Sequence, residues 1–142
     1  MPAVRRKSPK AMSESSFEGV IWDMDGVIVD TAPYRLRAWQ AVFQRRGVDF
    51  TEEDFKRNFG QRNDTIIQNA FGRSVSPEEI DVISSEKEED FRQRMGQDIK
   101  PLPGALELIS SLRGHGVKMA IASSAPIENI QLVTQRLNVK GC

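Results

Sequence analysis

Cysteine, histidine and long apolar runs are almost missing from this sequence of 142 residues. The one cysteine is Cys142, so no disulfide framework or thiolate metal site is expected, which fits a reducing compartment. The one histidine, His115, lies between two glycines, where we expect an exposed loop. No apolar run approaches the roughly 20 residues of a membrane span, and the N-terminus lacks the apolar segment of a secretory signal. These absences predict a cytoplasmic protein without a membrane partner.

The formal charges of the sequence cancel, with 20 basic and 20 acidic side chains. Electrostatics therefore gives no reason to expect nucleic acid as a partner. Arg5, Arg6 and Lys7 lie in an N-terminal stretch rich in serine, and we expect residues 1–16 to form a disordered basic tail, with a weak targeting segment as the alternative. The remainder has the composition of one ordinary globular domain, with 39% hydrophobic and 28% charged residues overall.

The most informative stretch is residues 17–31. Its apolar run Val-Ile-Trp at 20–22 is typical of a short buried strand, and Asp23, Met24, Asp25 and Gly26 follow at once. At the end of a strand, residues two apart point to the same side, so the two carboxylates face one crevice. A glycine there permits a tight turn and a close approach of the backbone to a ligand. Such carboxylates can bind Mg²⁺, act as a nucleophile or transfer a proton, and an acidic turn without a function is the plain alternative.

The rest of the pattern is mainly helical. We predict a second strand over residues 117–122 and helices that begin near Thr31, Thr51, Asn63, Ser76, Ala105 and Pro126. The helix from Ser76 has a sparse apolar stripe of Ile80, Ile83, Phe91 and Met95, and its charged run over residues 86–90 is expected to be a solvated face.

The order of elements favours two parallel strands joined through helices. Open parallel sheets bind ligands at the carboxyl ends of their strands, and Asp23 and Ser123 occupy those ends. Taken alone, Ser123 is more typical of a turn or a helix cap than of a catalytic group. An unrelated fold with a chance Asp-x-Asp-Gly motif would leave Asp23 and Ser123 far apart.

The residues at these two strand ends resemble the first two signatures of the haloacid dehalogenase superfamily. Asp-Met-Asp-Gly-Val-Ile-Val-Asp at 23–30 is similar to the first signature, and Ser123 after Val-Lys-Met-Ala-Ile-Ala is similar to the second. The helical stretch 34–98 is placed and sized like the cap domain of the subfamily that contains β-phosphoglucomutase and phosphoglycolate phosphatase. Asp-Thr-Ala-Pro-Tyr at 30–34 and Pro-Gly at 103–104 are similar to the mutase-like branch.

The resemblance implies an α/β fold, with a partial Rossmann-like parallel core of two strands and an inserted α-helical cap domain. Residues 17–33 would carry the first strand and the catalytic turn, residues 34–98 the cap, and residues 99–142 the second strand with its flanking helices. Family members carry a lysine and further acids well downstream of the second signature. We therefore expect a chain that ends at Cys142 to be the N-terminal portion of the fold, without the C-terminal half of the core, and to be nearly inactive.

The resemblance also implies a role for each residue of the site. Asp23 would be the nucleophile that attacks a phosphoryl group, and Asp25 the general acid and base. The same two residues would hold Mg²⁺, Asp25 through its backbone carbonyl. Ser123 would hydrogen-bond the transferring oxygens, and Gly26 and Ser124 would help to bind the substrate.

Two arginines bear on which substrate the protein would accept. Arg62, in the polar loop 60–64, is expected to reach a distal group of the substrate, with a plain surface arginine as the equal alternative. Arg35 stands where the mutase has a histidine, which favours a phosphatase.

We therefore predict a Mg²⁺-dependent phosphatase that acts on a small phosphorylated metabolite through an aspartyl-phosphate intermediate. The alternatives are a sugar-phosphate mutase like β-phosphoglucomutase and a non-catalytic homologue that acts as a binding module.

Overall fold

The computed structural model describes residues 18–139 and contains two strands and six helices within that range. They are β1 (Gly19–Trp22), α1 (Ala32–Gln44), α2 (Glu52–Arg57), α3 (Asn63–Phe71), α4 (Pro77–Gln97), α5 (Ala105–Gly114), β2 (Lys118–Ile121) and α6 (Ile127–Arg136). The predicted order of elements is confirmed, although β2 is one residue shorter at each end than expected. The basic tail over residues 1–16, Phe17 and Cys142 lie outside the described residues. In residues 18–139, no helix combines the length and the apolar character that crossing a membrane requires.

The sheet brings the ends of its two strands together. β1 and β2 pair in parallel, with Gly19 opposite Lys118 and Trp22 opposite Ile121. The pairing continues past the strands, because the Ala122 N–H donates a 2.8 Å hydrogen bond to the Trp22 carbonyl. The α/β fold with two parallel strands is therefore confirmed, and the residues that follow each strand share one edge of the sheet.

Two apolar clusters lie on either side of this edge. The core cluster packs around the sheet and consists of Met24, Ile28, Val29, Ala38, Phe91, Met95, Ile109, Val133 and Val139. The helical cluster lies among α1–α4 and consists of Trp39, Val42, Phe43, Phe50, Ile66, Ile67, Val75 and Ile83. Helices α1 and α4 contribute to both clusters, so they join the helical segment to the core through continuous packing.

Local capping chemistry fixes two of the helix starts. The Thr51 hydroxyl accepts from the Asp54 N–H at 3.1 Å, and the Asp54 carboxylate accepts from the Thr51 N–H at 2.8 Å. The hydrogen bonds that the Asp54 carboxylate accepts from the N–H and the hydroxyl of Thr51, with one from Arg57, lower the pKa of Asp54 to about 2. At the start of α4 the Ser76 hydroxyl accepts from the Glu79 N–H at 3.2 Å. Both predicted caps are confirmed, because each depends only on residues three positions apart.

The predicted solvated face over residues 86–90 of α4 is wrong. Lys87 is only 3% exposed, and Glu86, Glu88 and Asp90 are half-buried. Two members of the run bind arginines that directly follow α1: Glu86 accepts from Arg46 at 2.9 Å, and Asp90 from Arg45 at 3.3 Å. These charged side chains therefore form ion pairs with residues next to α1, and only part of this face is exposed to solvent.

Candidate active site

The loop after β1 is folded around Met24. Met24 is fully buried in the core cluster, and its carbonyl accepts from the N–H groups of Ile28 at 2.9 Å and Val29 at 3.2 Å. Because neighbouring side chains point in opposite directions, burial of Met24 turns Asp23 and Asp25 away from the core. Asp23 is exposed and Asp25 is half-buried.

Gly26 makes this turn possible. It has a φ of +74°, and its N–H donates to the Val29 carbonyl at 2.8 Å. A Cβ at this position would meet nothing within 4 Å, so the backbone conformation alone requires glycine.

Gly26→Ala is therefore expected to lower the free energy of unfolding by about 1 kcal/mol, since an L side chain is strained at this φ. Gly114→Ala is the matched control, because Gly114 ends α5 without a positive φ and its Cβ would also meet open space. We expect that variant to be neutral or stabilised by up to about 1 kcal/mol. Urea unfolding of both measures the difference, and equal losses of stability would contradict this explanation.

Asp25 joins the two strand ends. Its Oδ1 accepts from the Thr31 hydroxyl at 2.7 Å and from Arg35 Nη2 at 2.9 Å, and its Oδ2 accepts from the Ser123 hydroxyl at 3.4 Å. Sequence reasoning did not find the first two partners. Thr31 was expected only as a helix start, but its hydroxyl makes no cap hydrogen bond and turns to Asp25 instead.

Ser123 and Asp23 complete this edge of the sheet. The Ser123 hydroxyl also accepts from the Ala125 N–H at 3.1 Å, so the residue shapes its turn and contacts Asp25 at the same time. The Asp23 carboxylate accepts from the N–H of Met24 at 2.7 Å and remains exposed. Asp23 directly follows β1, two residues before the Asp25 that contacts Ser123, and its own part in the site stays a prediction.

A cavity of about 880 Å³ separates this edge from the helical segment. Asp25, Gly26 and Ser124 line it from the core, and Arg62 lines it from the helical side. Asp23 and Ser123 are not among its lining residues, so the structure unites only part of the predicted set in one space. The side chain of Arg62 is 87% exposed and lies 3.4 Å from Asp64, which leaves its reach toward a substrate a prediction.

Lys87 is a lining residue that sequence reasoning missed. Its Nζ lies 2.8 Å from Glu88 Oε1 and 4.9 Å from the centre of the Trp39 ring. Burial lowers the pKa of the Lys87 ammonium below its ordinary value, although Glu88 partly offsets this effect. A signal was present, because Lys87 falls midway between Ile83 and Phe91 on the buried stripe of α4, at four-residue spacing.

Glu88 connects Lys87 to the core. Its Oε2 accepts from Asn129 Nδ2 of α6 at 3.0 Å, and the Asn129 side-chain oxygen accepts from Arg92 at 3.2 Å. Burial acts to raise the pKa of Glu88, but Lys87 and the hydrogen bonds from Lys87, Asn129 and Asn63 outweigh burial and lower it. This carboxylate therefore stays charged and ties α4 to α6.

The donor set at the sheet edge fits Mg²⁺. Within residues 18–139, no group of three or more histidine, cysteine or acidic side chains is placed to hold a metal. Mg²⁺ commonly needs only one or two carboxylates, with water and substrate phosphate as its other ligands. The exposed carboxylate of Asp23 and the backbone of Asp25 can supply such a partial oxygen shell.

Comparison with known proteins gives concordant matches. A family model described as haloacid dehalogenase-like hydrolase matches residues 20–142. A phosphorylated carbohydrates phosphatase from Thermotoga maritima is 28% identical over 117 residues, which cover 77% of this chain and 50% of that protein.

Two solved structures share the fold. A HAD hydrolase of family IA, variant 3, from Entamoeba histolytica has a TM-score of 0.78 and 27% identity, and the match covers 87% of this chain and 56% of that one. A β-phosphoglucomutase from Clostridium difficile has a TM-score of 0.69 and 26% identity, with coverage of 88% and 58%. The chain spans about half the length of the curated relatives it matches.

Proposed function

Because this chain belongs to the haloacid dehalogenase-like hydrolase family, we propose that the protein acts as a Mg²⁺-dependent phosphatase of small phosphorylated metabolites. The observation that carries the proposal is the contact of Asp25 with Ser123 across the carboxyl ends of two parallel strands, beside the exposed carboxylate of Asp23. Related proteins that act on phosphorylated carbohydrates support the same class of substrate.

In the first step, an oxygen of the Asp23 carboxylate attacks phosphorus, and the bond from phosphorus to the ester oxygen breaks. Protonated Asp25 gives its proton to that leaving oxygen, and the alcohol is released. The transition state needs charge neutralisation and positioning, and the Ser123 hydroxyl donates a hydrogen bond to a transferring oxygen. Bound Mg²⁺, held by Asp23 and the carbonyl of Asp25, would supply positive charge beside these oxygens.

In the second step, the Asp25 carboxylate removes a proton from water, and that water attacks the phosphorus of the aspartyl phosphate. The bond from phosphorus to Asp23 breaks, which releases inorganic phosphate and restores both carboxyl groups. As part of this proposal, Asp25 exchanges hydrogen bonds with Thr31 and Arg35 for a contact with the leaving oxygen.

We further propose that residues 34–98 act as a cap over the substrate, with the core formed by residues 17–33 and 99–142. The cavity between the sheet edge and the helical segment supports this division, since Arg62 and Lys87 of the helical segment and Asp25 of the core all line it. An enclosed site excludes water and increases the effect of its charged groups.

A sugar-phosphate mutase is the second candidate, favoured by the structural likeness to β-phosphoglucomutase. The two activities differ in the acceptor of the second step, which is water in a phosphatase and a sugar hydroxyl in a mutase. Phosphate release and sugar-phosphate isomerisation, measured on the same sample, separate them.

We expect the protein that its gene encodes to release inorganic phosphate from an aryl phosphate only with Mg²⁺. Chelation with EDTA should lower the rate by at least about a hundredfold, since a metal contributes several kcal/mol at the transition state, and excess Mg²⁺ should restore it. A rate that EDTA leaves unchanged would contradict the proposed mechanism. Mg²⁺-dependent binding of a phosphonate without any turnover would favour the non-catalytic homologue instead.

A further inference from the structure

Arg35 lines the cavity next to Asp25, the proposed general acid and base. It lies in the first turns of α1 and donates to Asp25 at 2.9 Å. Its side chain is 34% exposed, so a ligand can reach the guanidinium. The guanidinium carbon lies 5.6 Å from the centre of the Phe91 ring, which supports one side of the cation.

Lys87 adds a second positive charge to the same place. Its Nζ lies 5.9 Å from the centre of the same Phe91 ring, and it lines the same cavity. The two cations are close enough for Arg35 to disfavour the charged form of Lys87 and thereby help to lower its pKa, after the larger effect of burial. Glu88 accompanies Lys87 at 2.8 Å and Asp25 accompanies Arg35 at 2.9 Å, so the two cations stay balanced only while both carboxylates keep their places.

The carboxylate that accompanies Arg35 is needed elsewhere during the reaction. Asp25 Oδ1 accepts from Arg35 and Thr31 together, and under the proposed function Asp25 must turn toward the leaving oxygen. That movement would separate Arg35 from its carboxylate partner. An anionic group of the substrate would replace the lost partner and would pair with the guanidinium through two hydrogen bonds.

We propose that Arg35 binds a second anionic group of the substrate, a carboxylate or phosphate a few bonds from the reacting phosphoryl group. This inference rests on the proposed function and names the substrate class of that same site. The short spacing follows from the direct contact of Arg35 with Asp25, since a distant second anion would instead reach the loop with Arg62. The simpler role for Arg35 is to neutralise Asp25 alone, and it predicts no preference between ligands.

Calorimetric titration with two non-hydrolysable ligands tests this assignment without turnover. Phosphonoacetate and ethylphosphonate are similar in size, but only the first carries a carboxylate beside its phosphonate. With Mg²⁺ present, we expect the protein to bind phosphonoacetate about tenfold or more tightly, because a charged hydrogen-bonded pair contributes at least that factor. Arg35→Gln should remove the preference, and Arg35→Lys should keep part of it. Arg37→Gln, an exposed arginine of the same helix, should leave it unchanged.

The possible outcomes separate this inference from the proposed function. If neither phosphonate binds, the phosphoryl site itself is wrong, and the inference falls with it. If both bind with equal affinity, or if Arg35→Gln keeps the preference for phosphonoacetate, the second-anion site is overturned while the proposed phosphatase stands. Thermal melting of each variant shows whether it is folded. If Arg35→Gln is not folded, the affinities of Arg35→Lys for the two phosphonates provide the test.

Discussion

Asp23→Asn is expected to lower the rate of phosphate release by at least about 10³-fold. The amide oxygen carries no negative charge and cannot form the aspartyl phosphate, and the variant also loses one oxygen ligand of Mg²⁺. Steady-state phosphate release from an aryl phosphate at saturating Mg²⁺ measures the change. Because Asp23 is exposed, we expect the variant to unfold at nearly the wild-type urea concentration.

Asp49→Asn is the matched control for this experiment. Asp49 is an exposed acid in the loop between α1 and α2, and its replacement removes the same formal charge. We expect its rate to stay within about twofold of wild type, as befits a surface substitution. An Asp23→Asn variant that keeps a tenth of the rate would show that water attacks the substrate directly, without a covalent step on Asp23.

That the acidic turn after β1 and Ser123 share one edge of the sheet could be predicted from sequence, because two local patterns were sufficient. Each of them follows a short β-forming run, and parallel strands bring their carboxyl ends to one edge. The structure adds a 3.4 Å hydrogen bond between Asp25 and Ser123, which are 98 positions apart. The helix caps at Thr51 and Ser76 were equally predictable, because their partners lie three residues away.

The surroundings of Asp25 could not be predicted in the same way. Whether Thr31 caps α1 or turns to Asp25 depends on how the loop around Met24 places the carboxylate. The contact of Arg35 with Asp25 depends on the rotation of α1 over the sheet edge, which no local pattern fixes. Residues brought together by packing between elements leave little trace in a single sequence.

The error over residues 86–90 has a physical explanation. A run of charges is typical of a solvated face. The prediction followed this composition and did not consider the position of each residue around the helix. That position favoured burial at Lys87, since the residues four positions before and after it are both buried. Burial of that ammonium is stabilised by Trp39 and by Glu88, which Asn129 of α6 holds in place. Two of these partners lie on other helices, so the sequence pattern alone did not identify the site.

Phe43→Ala is expected to lower the free energy of unfolding by about 3–5 kcal/mol, as large truncations in a core do. Phe43 is fully buried at the centre of the helical cluster. Its ring stacks on Trp39 at 5.1 Å and packs against Phe50 at 5.0 Å and Phe71 at 6.1 Å between ring centres. Removing the ring leaves a cavity with aromatic walls that belong to three different segments, so collapse cannot fill it. Urea unfolding followed by circular dichroism measures the loss.

Phe59→Ala is the control, because this aromatic residue lies in the same helical segment but is 68% exposed. We expect it to change the free energy of unfolding by at most about 1 kcal/mol, so similar losses for both variants would contradict the assignment of the helical cluster. If Phe43→Ala does not fold, Phe43→Leu keeps most of the volume and should cost less than about 1.5 kcal/mol. The same packing supports the site, since Phe43 holds the Trp39 ring that lies against Lys87. A loosened cluster should therefore also weaken phosphonate binding in variants that remain folded.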